Sequence, residues 1–242
     1  MSDKPDWAHI EVAVSGGVAE VRLHSNQESL IWAAEVVREL IVFLAWAERS
    51  ADFNVVILTG SQVAFCNRLE AKGFHGLGWR NIWALEQRLL NAWIDFNKIV
   101  IAAVNGPATV RSDLPVSADI VLACHEAVFS DSNHFRMNVA PGDGVQLIWG
   151  EILGASRAGY FLLTGEKLGA QDAKKFGAVH EIHDRDHLLP RARQIAADLS
   201  PRAGSLLSYT KAALRLRRSR PSRWCNFGCG RGPSSGGFGG DV

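Results

Sequence analysis

Residues 99–106 have the sequence Ile-Val-Ile-Ala-Ala-Val-Asn-Gly, a short apolar run closed by a polar residue and a glycine. Two further runs have the same character, residues 54–60 (NVVILTG) and residues 118–124 (ADIVLAC). An apolar run of this length without polar alternation is typical of a strand covered on both faces. The three runs therefore predict strands of one buried, mainly parallel sheet.

Helical patterns lie next to these strands. Apolar positions recur at helical spacing over residues 33–49 and from about residue 80 to residue 96. Residues 9–24 instead alternate polar and apolar positions on both sides of a Ser-Gly-Gly turn, which predicts a β-hairpin. Strands that alternate with amphipathic helices favour right-handed βαβ units, so we expect an α/β fold.

The second half of the chain is predicted to be mostly helical, with one short strand at residues 178–182. Its helical patterns cover residues 144–153, 155–163, 170–176, 186–199 and 201–216. We assign residues 1–200 to a core domain and residues 201–216 to the start of a C-terminal helical region. Residues 217–242 are rich in Arg and Gly and bury little apolar surface, so we expect a disordered tail there.

The composition fits a soluble globular protein. Of 242 residues, 47% are hydrophobic and 21% are charged, with a formal net charge of +1. No apolar run is long enough to span a bilayer and the first residues are too polar for a signal peptide, so we expect a cytoplasmic protein. Cys66 and Cys124 lie in apolar runs and are expected to be buried. The weak spacing of Cys225 and Cys229 gives no metal site by itself.

The chemistry is concentrated in residues 132–144, SNHFRMNVAPGDG. This segment places His134 and Asp143 nine residues apart, joined by a turn. An imidazole that a carboxylate orients is a common device for moving a proton near neutral pH. The Pro-Gly-Asp-Gly sequence precedes an apolar helical run, which predicts that Asp143 lies at or near a helix N-terminus.

Several segments carry a family resemblance, and they occur in the family's order along residues 9–214. They are residues 54–60, 64–70 (AFCNRLE), 99–108 (IVIAAVNGPA), 117–131 (SADIVLACHEAVFSD), 139–144 (VAPGDG) and 160–182 (YFLLTGEKLGAQDAKKFGAVHEI). Together they resemble the crotonase, or enoyl-CoA hydratase/isomerase, family. The resemblance implies a crotonase-like spiral of ββα units with C-terminal helices, assembled as a homotrimer or hexamer.

Within that family the chain is most similar to the β-diketone hydrolases, a group that includes 6-oxocamphor hydrolase. The similarity lies in residues 29–32 (SLIW), 64–67, 105–109 (NGPAT), 134–135, 139–144 and 157–168 (RAGYFLLTGEKL). These hydrolases cleave a C–C bond between two carbonyls, a retro-Claisen reaction, without coenzyme A. Ordinary hydratases carry a Glu where His134 stands, and a glycine-rich run where this chain has Val-Arg-Ser at residues 110–112.

The resemblance also implies roles for five residues. His134 would transfer the proton and activate water. Asp143 would either orient His134 or hand a proton to the departing enolate, and both roles stay open. The indole N–H of Trp32 would help bind the substrate carbonyl. Asn67 and Arg111 stand where the family presents backbone N–H groups to an oxyanion, and the Arg111 side chain could itself bind a carboxylate or carbonyl oxygen.

The chain also departs from the hydrolase pattern. The position of a hydrolase His, five residues after Trp32, is occupied by Val37, which can donate no hydrogen bond. His75 is a candidate replacement from the following loop. The hydrolases also place an acidic residue in their C-terminal helix, and this chain has no matching Asp or Glu there.

Three functions are therefore open. The first is a β-diketone hydrolase with a His134–Asp143 dyad, a small-molecule diketone substrate, and neither a metal nor an organic cofactor. The second is an enoyl-CoA hydratase or isomerase that acts on acyl-CoA thioesters. The third is a weakly active or inactive crotonase-like protein with a basic tail that touches nucleic acid. The first of these implies no membrane and no nucleic-acid partner.

Overall fold

The computed structural model of the chain describes residues 5–70, 74, 76–131, 133–136 and 139–215. Its largest sheet has six strands, which lie in the spatial order β1 (Ile10–Ser15), β2 (Val18–Leu23), β4 (Val55–Gly60), β6 (Ile99–Val104), β7 (Ile120–Cys124) and β10 (Glu181–His183). The strands β1 and β2 form the predicted antiparallel hairpin, and every later neighbour in the sheet runs parallel. The three apolar runs are the central strands β4, β6 and β7, as predicted.

The helices that pack around this sheet each have one apolar face, which they bury. Helix α1 (Ala34–Arg49) buries Val36, Leu40, Phe43 and Leu44, which recur at helical spacing. It packs against α2 (Trp79–Asp95), while α8 (Arg185–Leu199) packs against β4, β6 and β7. All six residues of β4 are buried, which explains their continuous apolar character.

A second, smaller layer of short strands was not predicted. Strand β3 (Leu30–Trp32) pairs in parallel with β5 (Cys66–Leu69), and β8 (Val128–Phe129) pairs with β9 (Leu168–Gly169) in antiparallel fashion. Single bridges from Ala108 to Cys66 and to Phe129 join the two pairs. Strands of two to four residues are too short to show a periodic pattern.

The remaining helices lie in the second half of the chain, apart from the short helix α3. They are α3 (Asp113–Val116), α4 (Asn133–Arg136), α5 (Val145–Leu153), α6 (Ala155–Thr164), α7 (Ala170–Lys175) and α9 (Gly204–Arg215). The five predicted helices are confirmed to within three residues at either end, and the predicted short strand is β10, shifted by up to three residues. The four-residue helices α3 and α4 were not predicted. Residues 217–242, with Cys225 and Cys229, lie outside the described residues.

A buried lysine fixes α9 against the main sheet. Lys211 Nζ lies 2.6 Å from Asp119 Oδ2 and donates a hydrogen bond to the Lys98 carbonyl oxygen at 2.5 Å. None of the helices in the described ranges is both long and apolar enough to cross a membrane.

The turn at residues 141–144 is fitted closely to α2. Gln87 Nε2 donates a hydrogen bond to the Gly142 carbonyl oxygen. A Cβ atom on Gly142 would lie 3.0 Å from Trp83 Cδ1, and one on Gly144 would lie 2.5 Å from Leu90 Cδ1. Gly144 also has a φ of +113°, which side-chain-bearing residues rarely adopt. Glycine at these two positions therefore allows the turn to lie this close to α2.

We expect Gly144→Ala to lower the free energy of unfolding by roughly 1–3 kcal/mol, because the new methyl group strains the backbone and meets Leu90. Urea denaturation measures the change. Gly150→Ala is the matched control, since Gly150 lies within α5 and its Cβ would have no neighbour within 4 Å. The control should raise stability by up to about 1 kcal/mol. Equal effects of the two substitutions would contradict this account of the turn.

Candidate active site

His134 lies on the single-turn helix α4 and is held between two carboxylates. Its Nδ1 atom lies 2.9 Å from Asp131 Oδ1 and 2.8 Å from Asp131 Oδ2. Its Nε2 atom lies 3.7 Å from Asp143 Oδ2. A carboxylate accepts hydrogen bonds only, so Nδ1 carries a proton and Nε2 is the nitrogen that faces the other acid.

Asp143 is a buried residue with a different neighbour at each carboxylate oxygen. Its Oδ1 accepts a hydrogen bond from the Val145 N–H at 3.2 Å, at the start of α5. The predicted place of Asp143 near a helix N-terminus is confirmed. Its Oδ2 lies between His134 Nε2 and Arg111 Nε, which is 3.4 Å away. The structure thus brings the predicted pair together at ion-pair distance.

Asp131 was missed by the sequence analysis, although it is the closer partner of His134. It lies two residues after the end of β8 and is almost fully buried. The available signal was the short separation of three residues between Asp131 and His134. Asp131 precedes α4, so the contact depends on how the chain enters a helix of four residues, which no periodic pattern revealed.

The surroundings of His134 stabilise its charged form. Burial lowers the pKa of His134, but the hydrogen bond to Asp131 and the charges of Asp143 and Asp131 outweigh it. The positive charge of Arg111 also opposes the rise. Together these effects raise the pKa of His134 from 6.5 to about 9, so the imidazole is a cation at neutral pH.

Arg111 has a positive φ and a buried side chain. Its φ of +52° is in the left-handed region that glycine favours, so the turn keeps a conformation that a glycine would also adopt. The guanidinium binds Asp113 in bidentate fashion, with Nε 3.0 Å from Oδ1 and Nη2 2.8 Å from Oδ2. Nη1 donates to Glu86.

The chain's own carboxylates therefore occupy the Arg111 side chain. A substrate carboxylate would have to displace one of them, so this arrangement does not favour the expected side-chain contact with substrate. The backbone role of Arg111 at an oxyanion stays a prediction.

Trp32 is also engaged by a residue that the sequence analysis missed. Its Nε1–H donates a hydrogen bond to Glu86 Oε1 at 3.1 Å, and Arg111 Cζ lies 5.0 Å from the centre of its ring system. Glu86 comes from α2 and is buried. A substrate carbonyl would have to replace Glu86 as the acceptor of this N–H. The role of Trp32 in substrate binding stays a prediction.

Asn67 is exposed and lies at an irregularity in β5. Cys66 pairs with Leu30 and Arg68 pairs with Ile31, so Asn67 is the extra residue of a β-bulge. Bulges redirect backbone groups and are frequent beside active sites. The oxyanion role of its backbone N–H stays a prediction.

The buried cysteines and Val37 supply no reactive group to the described part of the site. Cys66 and Cys124 are buried, as predicted, and burial raises the pKa of Cys66 to about 12, so its thiol is not a nucleophile. Val37 is fully buried in the apolar face of α1. His75 lies outside the described residues. Among the residues that the structure does describe, no group of three His, Cys, Asp or Glu side chains is arranged to hold a metal ion.

Comparisons of the sequence with protein families and with individual proteins agree on one family. The sequence profile of the enoyl-CoA hydratase/isomerase family matches residues 13–222. A probable peroxisomal enoyl-CoA hydratase of Arabidopsis thaliana is 30% identical over 187 residues, which are 75% of this chain and 69% of that protein.

Two solved structures are similar over most of their length. A β-diketone hydrolase from the cyanobacterium Anabaena sp. PCC 7120, bound to (S)-3-oxocyclohexyl acetic acid, has a TM-score of 0.86 and 33% identity. The match covers 90% of this chain and 91% of that one. An enoyl-CoA hydratase/isomerase from Cupriavidus metallidurans CH34 has a TM-score of 0.80 and 28% identity, with 89% and 83% covered.

We expect the charge on His134 to make stability depend on pH. Because folding raises this pKa from 6.5 to about 9, the stabilisation is complete below pH 6.5 and disappears as the pH rises through 9. The free energy of unfolding of the wild type relative to His134→Gln should therefore fall by at most about 3 kcal/mol over that range. Urea denaturation at a series of pH values measures it.

Asp131→Asn is the companion variant for this measurement. It removes the negative charge beside His134 Nδ1 and leaves only a neutral acceptor, so most of the rise in the pKa of His134, and of the pH dependence, should disappear. A wild-type advantage that stays constant from pH 6 to pH 10 would rule out a charged imidazole.

Proposed function

The chain belongs to the enoyl-CoA hydratase/isomerase family, and on that premise we propose that it hydrolyses a C–C bond of a β-diketone in a retro-Claisen reaction. The observation that carries this proposal is the position of His134 between Asp131 and Asp143. The hydratases that the sequence resembles have a Glu at the position of His134. An imidazole that two carboxylates hold is suited to moving protons to and from water.

The similarity to the Anabaena protein supports the same substrate class. Its ligand carries one ketone and one carboxylate. Hydrolysis between two carbonyls leaves this pair of groups. The hydroxide part of water stays on the carbonyl that becomes the acid, and a proton is added to the carbon that stays with the ketone. We propose a cyclic diketone as substrate and a keto acid as product.

In the proposed mechanism, His134 Nε2 takes a proton from water while the water oxygen attacks one carbonyl carbon. Asp131 keeps the Nδ1 proton in place and stabilises the imidazolium that forms. The oxyanion accepts hydrogen bonds from the backbone N–H groups of Asn67 and Arg111. The C–C bond then breaks, and its electron pair moves into the enolate of the second carbonyl.

The enolate carbon finally takes up a proton. Asp143 lies beside Nε2 and has two possible parts in this step. It stabilises the imidazolium that delivers the proton, or it delivers the proton itself. The proposed sequence of steps balances with water alone and uses neither a metal nor an organic cofactor.

The wider setting is proposed from the family resemblance. We propose a homotrimer or hexamer in the cytoplasm, with a small-molecule diketone as partner. Light scattering of the full chain measures the assembly.

A second candidate function is the hydration or isomerisation of an enoyl-CoA thioester. The name of the Arabidopsis relative, a probable enoyl-CoA hydratase, favours it. Two sequence features favour the hydrolase: His134 stands where ordinary hydratases carry a Glu, and Val-Arg-Ser at residues 110–112 stands where they carry a glycine-rich run.

We expect the wild type to open cyclic 1,3-diketones and to leave crotonyl-CoA unchanged. His134→Ala should lower kcat/KM by about 10²–10⁴-fold, since a positioned proton carrier contributes that much. Asp143→Asn should lower kcat in the same assay. The matched control is the exposed pair of His125 and Asp184, 3.8 Å apart, changed to Ala and Asn respectively. Neither control substitution should affect turnover.

The pH profile gives a second test of the same proposal. A base with a pKa of about 9 is only roughly 1% unprotonated at pH 7, so kcat/KM should rise with pH, reach half its maximum near pH 9 and level off only above that pH. Unchanged diketone turnover in both His134→Ala and Asp143→Asn would show that these two residues are not the catalytic pair. Rapid hydration of crotonyl-CoA without diketone cleavage would favour the second candidate.

A further inference from the structure

Glu86 is a buried carboxylate for which the proposed mechanism has no use. Each of its oxygens accepts a hydrogen bond, Oε1 from Trp32 Nε1 and Oε2 from Arg111 Nη1. Two donated hydrogen bonds, one of them from a cation, favour the ionised carboxylate. Burial, together with the charges of Asp143 and Asp113, acts in the opposite direction and raises the pKa of Glu86.

Arg111 connects Glu86 to the proton-transfer pair. Its Nε lies 3.4 Å from Asp143 Oδ2, and its Nη2 donates to the Asp143 carbonyl oxygen at 3.4 Å. Asp143 Oδ2 is also the oxygen that faces His134 Nε2. The guanidinium is thus held by Glu86 at one end and by Asp113 along its other edge.

We propose that Glu86 is a positioning residue that holds the Arg111 guanidinium beside Asp143 and partly neutralises its charge there. It touches neither water nor substrate in the proposed mechanism. Its effect on turnover rests on the proposed function, whereas its effect on His134 does not.

The charges around the two groups give the sign of the effect. Within the described ranges, Asp131, Asp143 and Arg111 act on His134. Arg111, Asp143 and Asp113 act on Glu86. Without the Glu86 charge, the positive charge of Arg111 is less compensated. Arg111 then disfavours the imidazolium more strongly and binds Asp143 more tightly. Both changes lower the pKa of His134.

The test is a titration of His134 by NMR in full-length protein labelled at histidine. The resonance of His134 is identified by its loss in His134→Gln. Glu86→Gln should lower the midpoint by roughly half a pH unit or more, the scale expected for a charge removed from a buried neighbour. Glu20→Gln is the matched control, because it removes an exposed ion pair with Arg193 and should leave the midpoint unchanged. An unchanged midpoint in folded Glu86→Gln would overturn the proposal.

Glu86→Asp serves if the Gln variant does not fold. It keeps the charge but draws the carboxylate back by one methylene, so the midpoint should move in the same direction by a smaller amount. No shift in that variant would overturn the proposal too. The titration needs no substrate, so it decides the role of Glu86 even if no diketone is cleaved. If a diketone is cleaved, the kcat/KM profile of Glu86→Gln should move by the same amount as the titration.

Discussion

The site is organised by a buried surplus of carboxylates around one guanidinium. Two cations, Arg111 and the imidazolium of His134, share four buried or nearly buried acids, Glu86, Asp113, Asp131 and Asp143. Charges that are removed from water are tolerated only when they are paired, so each acid must stay close to a cation. This constraint holds together side chains from α2, α3 and the residue pair before it, the segment after β8, α4 and the turn before α5.

The same constraint explains the structural role of the Arg111 side chain, which is the buried cation that these acids share. The hydratases that the sequence resembles carry a glycine-rich run at this place. Here the Arg111 backbone keeps a left-handed conformation, and its side chain is buried in the interior. The arginine at this position therefore does more than keep the turn. It adds a cation, and that cation requires the carboxylates of Glu86 and Asp113. The side chain of Arg111 thus belongs to the buried interior of the site, where the chain's own carboxylates bind it.

The sequence was sufficient for the large elements and for part of the site. Long apolar runs and helical periodicity revealed β4, β6, β7, α1 and α2, because each spans several repeats of its pattern. His134 and Asp143 were visible because they share one short segment. The contact of Asp131 with His134 depends on a helix of only four residues, too short to show a pattern. Glu86 lies 54 residues from Trp32 and 25 from Arg111. Contacts at that separation follow from the folded path of the chain and leave no local pattern.

Helix α2 makes its contacts with the site from a single face. Trp83, Glu86, Gln87 and Leu90 follow the spacing i, i+3, i+4 and i+7, and all four contact the turn at residues 142–144 or the buried charges. Inserting or deleting one residue within the helix would rotate everything beyond it by about 100°. Such a change would remove several of these contacts together, whereas substitutions on the opposite face leave them intact. Helix α2 should therefore tolerate substitutions along its outer face but not an inserted or deleted residue between Trp83 and Leu90.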